Sequence, residues 1–383
     1  MNVTQISIGR FHHFHLARQL EKHNLLKAIY TGYPRFKLRD EGGIPPEKIK
    51  TYPWFQVPSL MLGNVAMDKW HWLQRELAWQ AVEALDRYVA RNIKDKTILV
   101  GLSGAGMRAG KVAQEIGGKY ICDRGSSHIR FQNEVLKEEY ARWKIPFQEI
   151  DSRTINKEEA EYELADRITV PSEFVLKSFL TKGVPREKIT KVVYAATVDA
   201  FAKNGVPYKD KFIVLWVGAV SLRKGFMYLL KAFQQLKHPD KELRVIGAVL
   251  PEMTSLLKST SLEGVNFLGT VPNQKLSEIY STANVFVLPS LEEGLALVQG
   301  EALACGCPII GSTNSGAEDL ITHGKEGFVV PIRSSEAIFQ YLQMLLDDSS
   351  LRPSMSEAAL QRVKQIGGWD AYGANFVALL KSL

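Results

Sequence analysis

The sequence predicts an α/β protein built from two doubly wound, Rossmann-like domains that face each other across a cleft. Short apolar strands alternate with longer amphipathic segments along the chain, a pattern typical of parallel sheets covered by helices on both faces. With 383 residues, the chain also exceeds what one hydrophobic core usually supports. The polar segment 200–211, AFAKNGVPYKDK, interrupts the alternation and predicts the boundary between the two domains.

Each half of the chain supplies its own series of strands. Before the boundary, a helix is predicted over 11–26 and strands at 4–9, 97–102, 119–123 and 167–172. After the boundary, strands are predicted at 212–220, 242–249, 265–271, 284–290 and 307–313. We therefore expect domains at 1–200 and 201–368, followed by an amphipathic terminal helix at 369–383. Ligands of such sheets bind beyond the carboxyl ends of the strands.

The composition is that of an ordinary soluble globular protein, with 45% hydrophobic and 23% charged residues. No apolar run reaches the roughly 18 residues of a membrane span, and the N-terminus lacks the pattern of a secretory signal. The three cysteines, Cys122, Cys305 and Cys307, form an odd, sparse set that favours a reducing compartment. We expect a cytoplasmic protein in which Cys305 and Cys307 are buried small side chains rather than a metal or redox pair.

The positive charge is concentrated in the first half of the chain. Residues 1–200 contain 31 basic and 24 acidic residues, a net charge of +7, whereas residues 201–383 contain 17 of each. Such an excess favours an anionic partner, for example lipid headgroups, nucleic acid or a phosphorylated substrate. Simple solubility is the alternative explanation.

Glu293 and Glu301 frame the segment EGLALVQGE, with seven residues between them. A glycine follows the first carboxylate, and a helix-compatible apolar run follows the glycine. Carboxylates accept hydrogen bonds from vicinal hydroxyls in pairs, and a helix N-terminus offers free amides to anions. The combination suits a ligand with both hydroxyls and phosphates, such as a nucleotide sugar.

A second motif, VGAVSLRKG, occupies residues 217–225. A predicted strand ends at Gly218, and the loop after it presents Arg223 and Lys224 before a helix begins. Two cations at such a turn suit a diphosphate leaving group, although alone they are equally compatible with a basic pair on the surface. Because Glu293 stands at the same kind of turn in the same half, each motif strengthens the interpretation of the other.

These motifs resemble the retaining glycosyltransferases of family 4, of the glycosyl transferases group 1 type, which have the GT-B fold. The resemblance covers roughly residues 165–383 and keeps the family's order of motifs. The matching segments are 167–201, VGAVSLRKGFMYLLKAF, VNFLGTV, PSLEEGLALVQGEALACGCPII and STNSGAEDLITHGKEGFVVP. The first 160 residues match loosely, as expected where acceptors differ.

The resemblance implies a role for each motif residue. Glu293 would contact the hydroxyls of the donor sugar, and Glu301 would bind the ribose of the nucleotide. Lys224, with Arg223, would neutralise the departing diphosphate. The remaining donor-binding positions are Gly218, Gly269, Thr270, Val271, Gly294, Leu295, Ala296 and Leu297. No metal is required in such a site, and the chain has no Asp-x-Asp pair of the metal-dependent sugar transferases.

Three positions depart from the family pattern. Ala219 stands where an arginine usually follows the glycine of the phosphate turn, so Arg223 is expected to substitute from the other side of the loop. Gly294-Leu295-Ala296 replaces Gly-Phe-Gly, and residues 196–199 replace a Gly-Val-Asp near the hinge. These changes concern the details of the donor pocket rather than the class of protein.

The first half is expected to supply a histidine, as family members usually do from a loop after a mid-domain strand. The segment KYICDRGSSHIRF makes His128 the candidate, with Asp123 as the alternative polar group near the acceptor. The competing interpretation of His128 is a histidine at a helix start that bonds to the backbone.

Four further histidines, His12, His13, His15 and His23, lie near the start of the chain. His12 and His15 would share a helix face, but no carboxylate or cysteine joins them in the sequence, so a metal site is not expected. The basic, aromatic start of this helix, beside the Gly9 turn, suits either acceptor contact at the cleft or helix packing.

Two segments leave alternatives open. Residues 51–79 are rich in aromatics and methionine, and beside Lys48 and Lys50 they predict either insertion into a membrane interface or a buried loop and helix. The Gly-rich segment 103–110, SGAGMRAG, departs from the dinucleotide fingerprint and favours a strand-to-helix turn near the cleft over a cofactor site.

We therefore expect a retaining, metal-independent glycosyltransferase of hexosyltransferase type that uses a nucleotide-diphosphate sugar as donor. The acceptor would be a hydroxyl of a glycan or of a lipid-linked precursor. The resemblance places the acceptor in residues 1–200 and the donor in residues 201–368, with the helix at 369–383 crossing back to the first domain.

Two other functions stay open at this point. A nucleotide-sugar epimerase or hydrolase of the same fold would use His128 and Asp123 as its acid/base set. A non-catalytic adaptor would bind a membrane or another polyanion through the basic half. An anionic membrane surface is an expected partner, with peripheral attachment at the inner face, whereas no motif supports nucleic acid.

Overall fold

Two parallel sheets organise the chain in the computed structural model, which describes residues 1–10, 12–63, 71–194, 201–208 and 210–383. The departure from the family pattern at residues 196–199 lies outside the described residues, as do Phe11 and Trp70 of the segments singled out above. All three cysteines are free and buried, as was predicted for Cys305 and Cys307.

The first sheet has seven parallel strands in the order β3-β2-β1-β4-β5-β6-β7. Its strands are β1 (Val3–Ser7), β2 (Leu26–Thr31), β3 (Ile49–Thr51), β4 (Ile98–Leu102), β5 (Lys119–Asp123), β6 (Arg167–Val170) and β7 (Ile189–Lys191). The helices of this half are α1 (His13–Lys22), α2 (Gln56–Gly63), α3 (His71–Asn92), α4 (Met107–Glu115), α5 (Ile129–Arg142), α6 (Ser152–Leu164) and α7 (Glu173–Thr181).

The second sheet has six parallel strands in the order β10-β9-β8-β11-β12-β13. Its strands are β8 (Phe212–Val217), β9 (Lys241–Ile246), β10 (Val265–Gly269), β11 (Val285–Leu288), β12 (Ile309–Ser312) and β13 (Gly327–Val330). The helices are α8 (Phe226–Gln235), α9 (Thr254–Lys258), α10 (Asn273–Thr282), α11 (Leu297–Ala304), α12 (Ala317–Leu320), α13 (Ser335–Asp347), α14 (Leu351–Ile366) and α15 (Trp369–Lys381).

The predicted strands are confirmed: most of their apolar runs lie in the inner strands of the two sheets, and the run at 265–271 forms the edge strand β10. Every residue of β8 is buried, as a parallel strand covered by helices on both faces requires. The four strands that the pattern did not predict, β2, β3, β7 and β13, lie away from the centre of each sheet. The predicted helix 11–26 ends early, at Lys22, and Asn24 adopts a φ of 56° before the chain enters β2.

The terminal helix α15 crosses back to the first half of the chain and packs on α1, as predicted. Asp370 accepts hydrogen bonds from Gln19 at 2.9 Å and from Lys22 at 2.7 Å. His15 stacks on Trp369 with ring centroids 3.9 Å apart. His15 therefore serves helix packing, one of the two roles expected for this helix.

Each sheet has one point where the strand order reverses, between β1 and β4 in the first and between β8 and β11 in the second. Ligands of doubly wound sheets bind beyond the carboxyl ends of the strands at this point. The loops after β8 and β11 are 218–225 and 289–296; the first contains Arg223 and Lys224, and the second contains Glu293 and leads into α11, which carries Glu301. None of the helices in the described parts of the chain is long and apolar enough to cross a bilayer.

Candidate active site

The two motif loops of the second sheet run side by side. The amide of Leu291 donates to the carbonyl of Arg223 at 2.8 Å, and the Arg223 Nε donates to the carbonyl of Glu292 at 3.0 Å. Gly225 has a φ of +75°, and a Cβ there would lie 2.2 Å from the Pro289 carbonyl oxygen. Only glycine fits this close approach, so the glycine after Lys224 fixes how the two loops meet.

Consecutive cations on one loop face consecutive carboxylates on the other. Lys224 pairs with Glu293, and Arg223 pairs with Glu292 through an Nη2–Oε2 contact of 2.8 Å. The side chains of Lys224 and Glu293 keep 21% and 19% of their surface exposed, whereas Glu292 is fully buried. The predicted pair Lys224 and Glu293 is therefore brought together where a ligand can reach both groups.

Arg223 has a different setting from the one predicted for a diphosphate ligand. Its guanidinium is held by Glu292, and a longer contact of 3.4 Å reaches the Ser126 hydroxyl. Burial alone would lower the pKa of Arg223, but Glu292 and Glu293 together raise it. Arg223 is thus a fixed cation beside Lys224, and its contact with phosphate stays a prediction.

Glu301 lies on α11, and its Oε2 accepts a hydrogen bond from the Tyr280 hydroxyl at 3.1 Å. Burial raises the pKa of Glu301, while the Tyr280 hydrogen bond acts in the opposite direction. Gly218 lies directly after β8, while Gly269, Thr270 and Val271 lie at the carboxyl end of β10 in the same sheet. The predicted donor-binding positions therefore share one edge of the sheet.

The amides after Glu293 are only partly available to a ligand. Among the described residues, the amides of Gly294, Leu295 and Leu297 have no hydrogen-bond acceptor. The amide of Ala296, in contrast, donates to the Ser315 carbonyl at 3.3 Å. Of the four donor-binding positions predicted here, Ala296 therefore has no free amide to offer a ligand, because the loop after β12 already accepts its hydrogen bond.

His128 shows the backbone-bonded arrangement that was the competing interpretation. It is the N-cap residue of α5, where its Nδ1 accepts a hydrogen bond from the Arg130 amide at 3.3 Å. Its ring lies against Tyr162 and Phe179, with centroids 5.0 Å away in both cases. Burial lowers the pKa of His128 to about 4. The role of His128 in the described structure is therefore to start a helix.

Asp123, the alternative candidate, forms a buried cluster with two of the N-terminal histidines. Its Oδ2 lies 2.5 Å from His12 Nε2 and 3.0 Å from His13 Nε2, and its Oδ1 accepts from Thr169 at 2.6 Å. The Tyr194 hydroxyl completes the group, 3.0 Å from His12 Nε2. Burial alone would raise the pKa of Asp123, but the two imidazoles hold it well below its usual range.

This cluster corrects the expectation that no carboxylate joins the N-terminal histidines. The sequence separates His12 from Asp123 by the whole of β2 to β4, and the parallel sheet brings the ends of β1 and β5 together. Two ligands of one tetrahedral zinc ion, each about 2.0 Å from it, would stand about 3.3 Å apart. The separation of 2.5 Å between His12 and Asp123 is that of a hydrogen bond, and the 3.0 Å between His13 and Asp123 is an ion-pair contact; both are shorter than the spacing of two zinc ligands.

The neighbouring Ser127 links the first half of the chain to the second. Glu292 Oε1 accepts from the Ser127 amide at 2.9 Å and from its hydroxyl at 2.8 Å, and Oε2 accepts from Gln132 at 3.0 Å. Close by, Gly294 approaches Gly125 so tightly that a Cβ on Gly294 would lie 1.7 Å from the Gly125 carbonyl oxygen. The candidate site thus lies at a closed seam between the two sheets.

The Gly-rich segment 103–110 is a strand-to-helix turn, as predicted, and two buried carboxylates occupy its amides. Glu161 accepts from the amides of Gly104 at 2.7 Å and Gly106 at 2.9 Å. Asp86 accepts from the amides of Arg108 and Ala109, both at 2.9 Å. These are the donors that a phosphate would need, so the turn is internally satisfied.

The aromatic segment 51–79 lies at the surface in its described part. Trp54 is 74% exposed, and Met61 and Trp72 are each 66% exposed. The prediction of a buried loop and helix is therefore wrong for these side chains. Phe36 is also exposed, at 59%, in the short helix between β2 and β3.

Sequence reasoning missed Glu292 and the pairing of His12 with Asp123. The only signal for Glu292 in the sequence was that two adjacent glutamates in LEEG match two adjacent cations in RKG. A comparison with the family motif assigns a role to only one glutamate of that pair. The signal for His12 was absent, since its partner lies 111 residues further along the chain.

Residues 198–362 match the family model described as "Glycosyl transferases group 1". A D-inositol 3-phosphate glycosyltransferase of Corynebacterium urealyticum is 31% identical over 216 residues, which is 53% of this chain and 50% of that protein. A GDP-mannose-dependent monoacylated alpha-(1-6)-phosphatidylinositol monomannoside mannosyltransferase of Corynebacterium glutamicum is 31% identical over 170 residues, or 43% and 44%. The chain thus matches about half the length of these curated relatives.

Solved structures match along the whole chain. The structure of Anabaena HepE in complex with UDP has a TM-score of 0.72 at 14% identity and covers 100% of both chains. A sucrose-phosphate synthase from Thermosynechococcus elongatus has a TM-score of 0.69 at 20% identity and covers 100% of this chain and 98% of its own. At these identities the likeness concerns the fold, which is two Rossmann-like domains of GT-B type.

Proposed function

Because residues 198–362 of this chain belong to the glycosyl transferases group 1 family, we propose that the protein transfers a sugar from a nucleotide-diphosphate donor to an acceptor hydroxyl. The single observation that carries the proposal is the pairing of Lys224 with Glu293 where the strand order of the second sheet reverses. A cation for phosphate and a carboxylate for hydroxyls stand together at the position where such sheets bind ligands.

On this proposal, residues 201–368 bind the donor. Glu293 accepts hydrogen bonds from sugar hydroxyls, Glu301 binds the ribose, and Lys224 contacts the diphosphate. The amides of Gly294, Leu295 and Leu297, which find no acceptor among the described residues, support the assignment, since they lie just before and at the start of α11. A helix start adds partial positive charge toward an anion.

We propose a reaction that retains the configuration at the anomeric carbon. The acceptor hydroxyl attacks from the face that the diphosphate leaves, and a leaving-group oxygen takes the hydroxyl proton. Lys224 stabilises the charge that develops on that oxygen, and Arg223 adds to the positive field while Glu292 holds it. No step in this scheme needs a metal ion, and activity should persist in the presence of a chelator.

A thermal-shift panel of nucleotide sugars with uridine, guanosine and adenosine bases tests the proposal. One base class should raise the melting temperature, because a ligand that binds only the folded state stabilises it. Turnover with that donor and a glycan or lipid-linked acceptor should then give a product of retained configuration by NMR. No stabilisation by any donor would contradict the proposal, and donor breakdown without acceptor would favour the hydrolase alternative.

We further propose that the acceptor domain, residues 1–200, binds an anionic membrane surface and attaches the protein peripherally at the inner face of the membrane. The exposed side chains of Trp54, Met61 and Trp72 support this, because apolar side chains of this size insert into the headgroup boundary. The net charge of residues 1–60, with nine basic and four acidic residues, adds attraction to anionic lipids.

A further inference from the structure

Glu292 is a fully buried carboxylate whose partners come from both sides of the seam. On its own side, Arg223 lies 2.8 Å from Oε2. On the other side, Ser127 donates twice to Oε1, at 2.9 and 2.8 Å, and Gln132 donates to Oε2 at 3.0 Å. Neither carboxylate oxygen lacks a partner, so the carboxylate is satisfied in the closed arrangement.

The hydrogen bonds from Ser127 and Gln132 to Glu292 form only while the two halves of the chain are in contact. Burying a carboxylate is costly unless it is paired and hydrogen-bonded, and the three bonds from Ser127 and Gln132 disappear if the two sheets move apart. Burial alone would raise the pKa of Glu292, yet Arg223, Ser127 and Arg124 hold it below the ordinary value. Glu292 is therefore an anion whose surroundings change completely between a closed and an open cleft.

The neighbouring backbone is held at the same seam. The Gly294 carbonyl accepts from the Ser172 hydroxyl at 2.6 Å, and the Glu293 amide donates to the Asn314 carbonyl at 3.1 Å. Glu293 thus lies between two residues, Glu292 and Gly294, that are both tied to the first half of the chain. The backbone that carries the Glu293 side chain cannot shift without one of these hydrogen bonds changing.

We propose that Glu292 is a positioning residue that couples closure of the cleft to the placement of Glu293 and Lys224 for sugar transfer. The proposal rests on the transferase function proposed above and assigns to that reaction a residue that contacts no substrate. Closure brings Ser127 to Glu292, Glu292 fixes Arg223, and the paired loops then present Glu293 and Lys224 at a set separation.

The first experiment measures closure without catalysis. Fluorescent labels at Lys111→Cys on α4 and Gln274→Cys on α10 report the distance between the two halves, since the three native thiols are buried. Glu292→Gln keeps the size of the side chain and removes its charge, and it should shift the label distance toward an open form. The control Lys191→Gln removes another contact across the seam, with Asp319 at 2.8 Å, and should shift the distance less.

The second experiment separates positioning from binding. Glu292→Gln should lower kcat by about tenfold and leave the KM of the donor within about twofold, because the lost interaction matters only in the closed state. Lys191→Gln should keep both parameters. Ser127→Ala should cause a smaller loss, and its combination with Glu292→Gln should be less than additive, because both remove the same contact.

An unchanged label distance together with an unchanged kcat in Glu292→Gln would overturn the proposal. An equal loss in Lys191→Gln would overturn it as well, since any seam contact would then serve. If Glu292→Gln does not fold, Ser127→Ala and Gln132→Ala test the same bonds from the opposite side. If the wild-type protein turns over no nucleotide sugar, the proposed function fails, and the label distance alone decides whether Glu292 holds the cleft closed.

Discussion

At the scale of single residues, two adjacent glutamates have opposite surroundings. Glu293 is partly exposed and pairs with one lysine, whereas Glu292 is fully buried with partners on every side. The difference follows from the partners that each side chain meets, since Glu292 contacts Arg223, Ser127 and Gln132 whereas Glu293 contacts Lys224. One carboxylate is thereby available to a ligand, and the other is part of the scaffold.

Replacing Glu293 by alanine should lower turnover by more than about tenfold, because the sugar would lose a contact made in the transition state. Glu301→Ala should act mainly on donor binding, through the ribose. Steady-state kinetics with the donor found in the thermal-shift panel measures both effects. The exposed Glu278, on α10, provides a control, and Glu278→Ala should behave as wild type. Normal turnover by Glu293→Ala would refute its sugar-binding role.

His128 should make the folded protein sensitive to acid. Its pKa lies at about 4 in the folded state, against 6.5 ordinarily, because its ring is buried at the start of α5. The unfolded chain therefore binds a proton first, and stability falls as the pH drops from about 6.5 to about 4. His128→Asn keeps an N-cap and removes the titration, so its melting temperature should fall by a few degrees less over that range.

The control for this pH prediction is His23→Asn, at an exposed histidine after α1. It should leave the acid dependence of the melting temperature as in wild type. Part of the dependence will remain in His128→Asn, since burial also lowers the pKa of His13 and of His15, the latter to about 4. An identical acid profile in wild type and His128→Asn would contradict the assignment.

The individual residues of the site were only partly predictable. Lys224 and Glu293 were predictable because each belongs to a local motif at a strand-to-helix turn. His12, Ser127 and Glu292 were not, because their partners lie more than a hundred residues away and meet them only through the sheet order and the seam. Local spacing identifies a loop, whereas pairing across the cleft depends on tertiary structure.

At the scale of elements, α15 approaches α1 most closely at Gly373, whose backbone lies against the side chain of Gln19. A Cβ on Gly373 would lie 2.6 Å from Gln19 Cβ and 2.7 Å from Gln19 Cγ. The absent side chain lets the two helices approach, and Asp370 then reaches Gln19 and Lys22. Glycine costs helix propensity, so its presence in α15 indicates that the close approach outweighs that cost.

Gly373→Ala should destabilise the protein by about 1–3 kcal/mol, the usual range for overpacking a tight contact. Helix propensity alone would favour alanine by about 1 kcal/mol, so the sign of the effect distinguishes the two influences. Asn375→Ala, at an exposed position of the same helix, is the control and should be neutral or slightly stabilising. Urea unfolding followed by circular dichroism measures both, and a stabilised Gly373→Ala would contradict the tight contact.

Strand prediction succeeded for apolar runs that are buried on both faces, as in β8 and β11, and also for the partly exposed edge strand β10. It failed at β3 and β7, which have three residues each and take their structure from a neighbouring strand rather than from their own pattern. The end of α1 was missed because Asn24 stops the helix through its backbone conformation, while the apolar run continues into β2.

At the scale of the whole molecule, the excess positive charge and the most exposed tryptophan, phenylalanine and methionine side chains lie in the same half. The excess of basic residues and the exposed side chains of Phe36, Trp54, Met61 and Trp72 all belong to residues 1–200. The second half is electrically balanced and contains the proposed donor site. This division matches a protein whose first domain meets a surface and whose second domain meets a small polar ligand.

Anionic vesicles should bind the protein, and neutral vesicles should bind it weakly. Vesicles that contain phosphatidylglycerol should sediment the wild-type protein at low salt, and added salt should weaken the binding. Trp54→Ser combined with Met61→Ser should reduce binding several-fold by removing the inserted apolar surface. Met344→Ser, at an exposed methionine of the second half, is the control. Equal binding of all three proteins would contradict the proposed membrane surface.

The ion pair between Lys224 and Glu293 also bears on how the protein releases its product. A donor that takes Lys224 for its phosphates offers its sugar hydroxyls to Glu293 in exchange, so both side chains find new partners. A nucleoside diphosphate binds Lys224 but has no sugar hydroxyls to donate to Glu293. The Glu293 carboxylate is then a half-buried acceptor without a partner, which costs free energy. On the proposed function, the nucleoside diphosphate product therefore binds more weakly than the donor. Re-formation of the ion pair between Lys224 and Glu293 favours dissociation of this product.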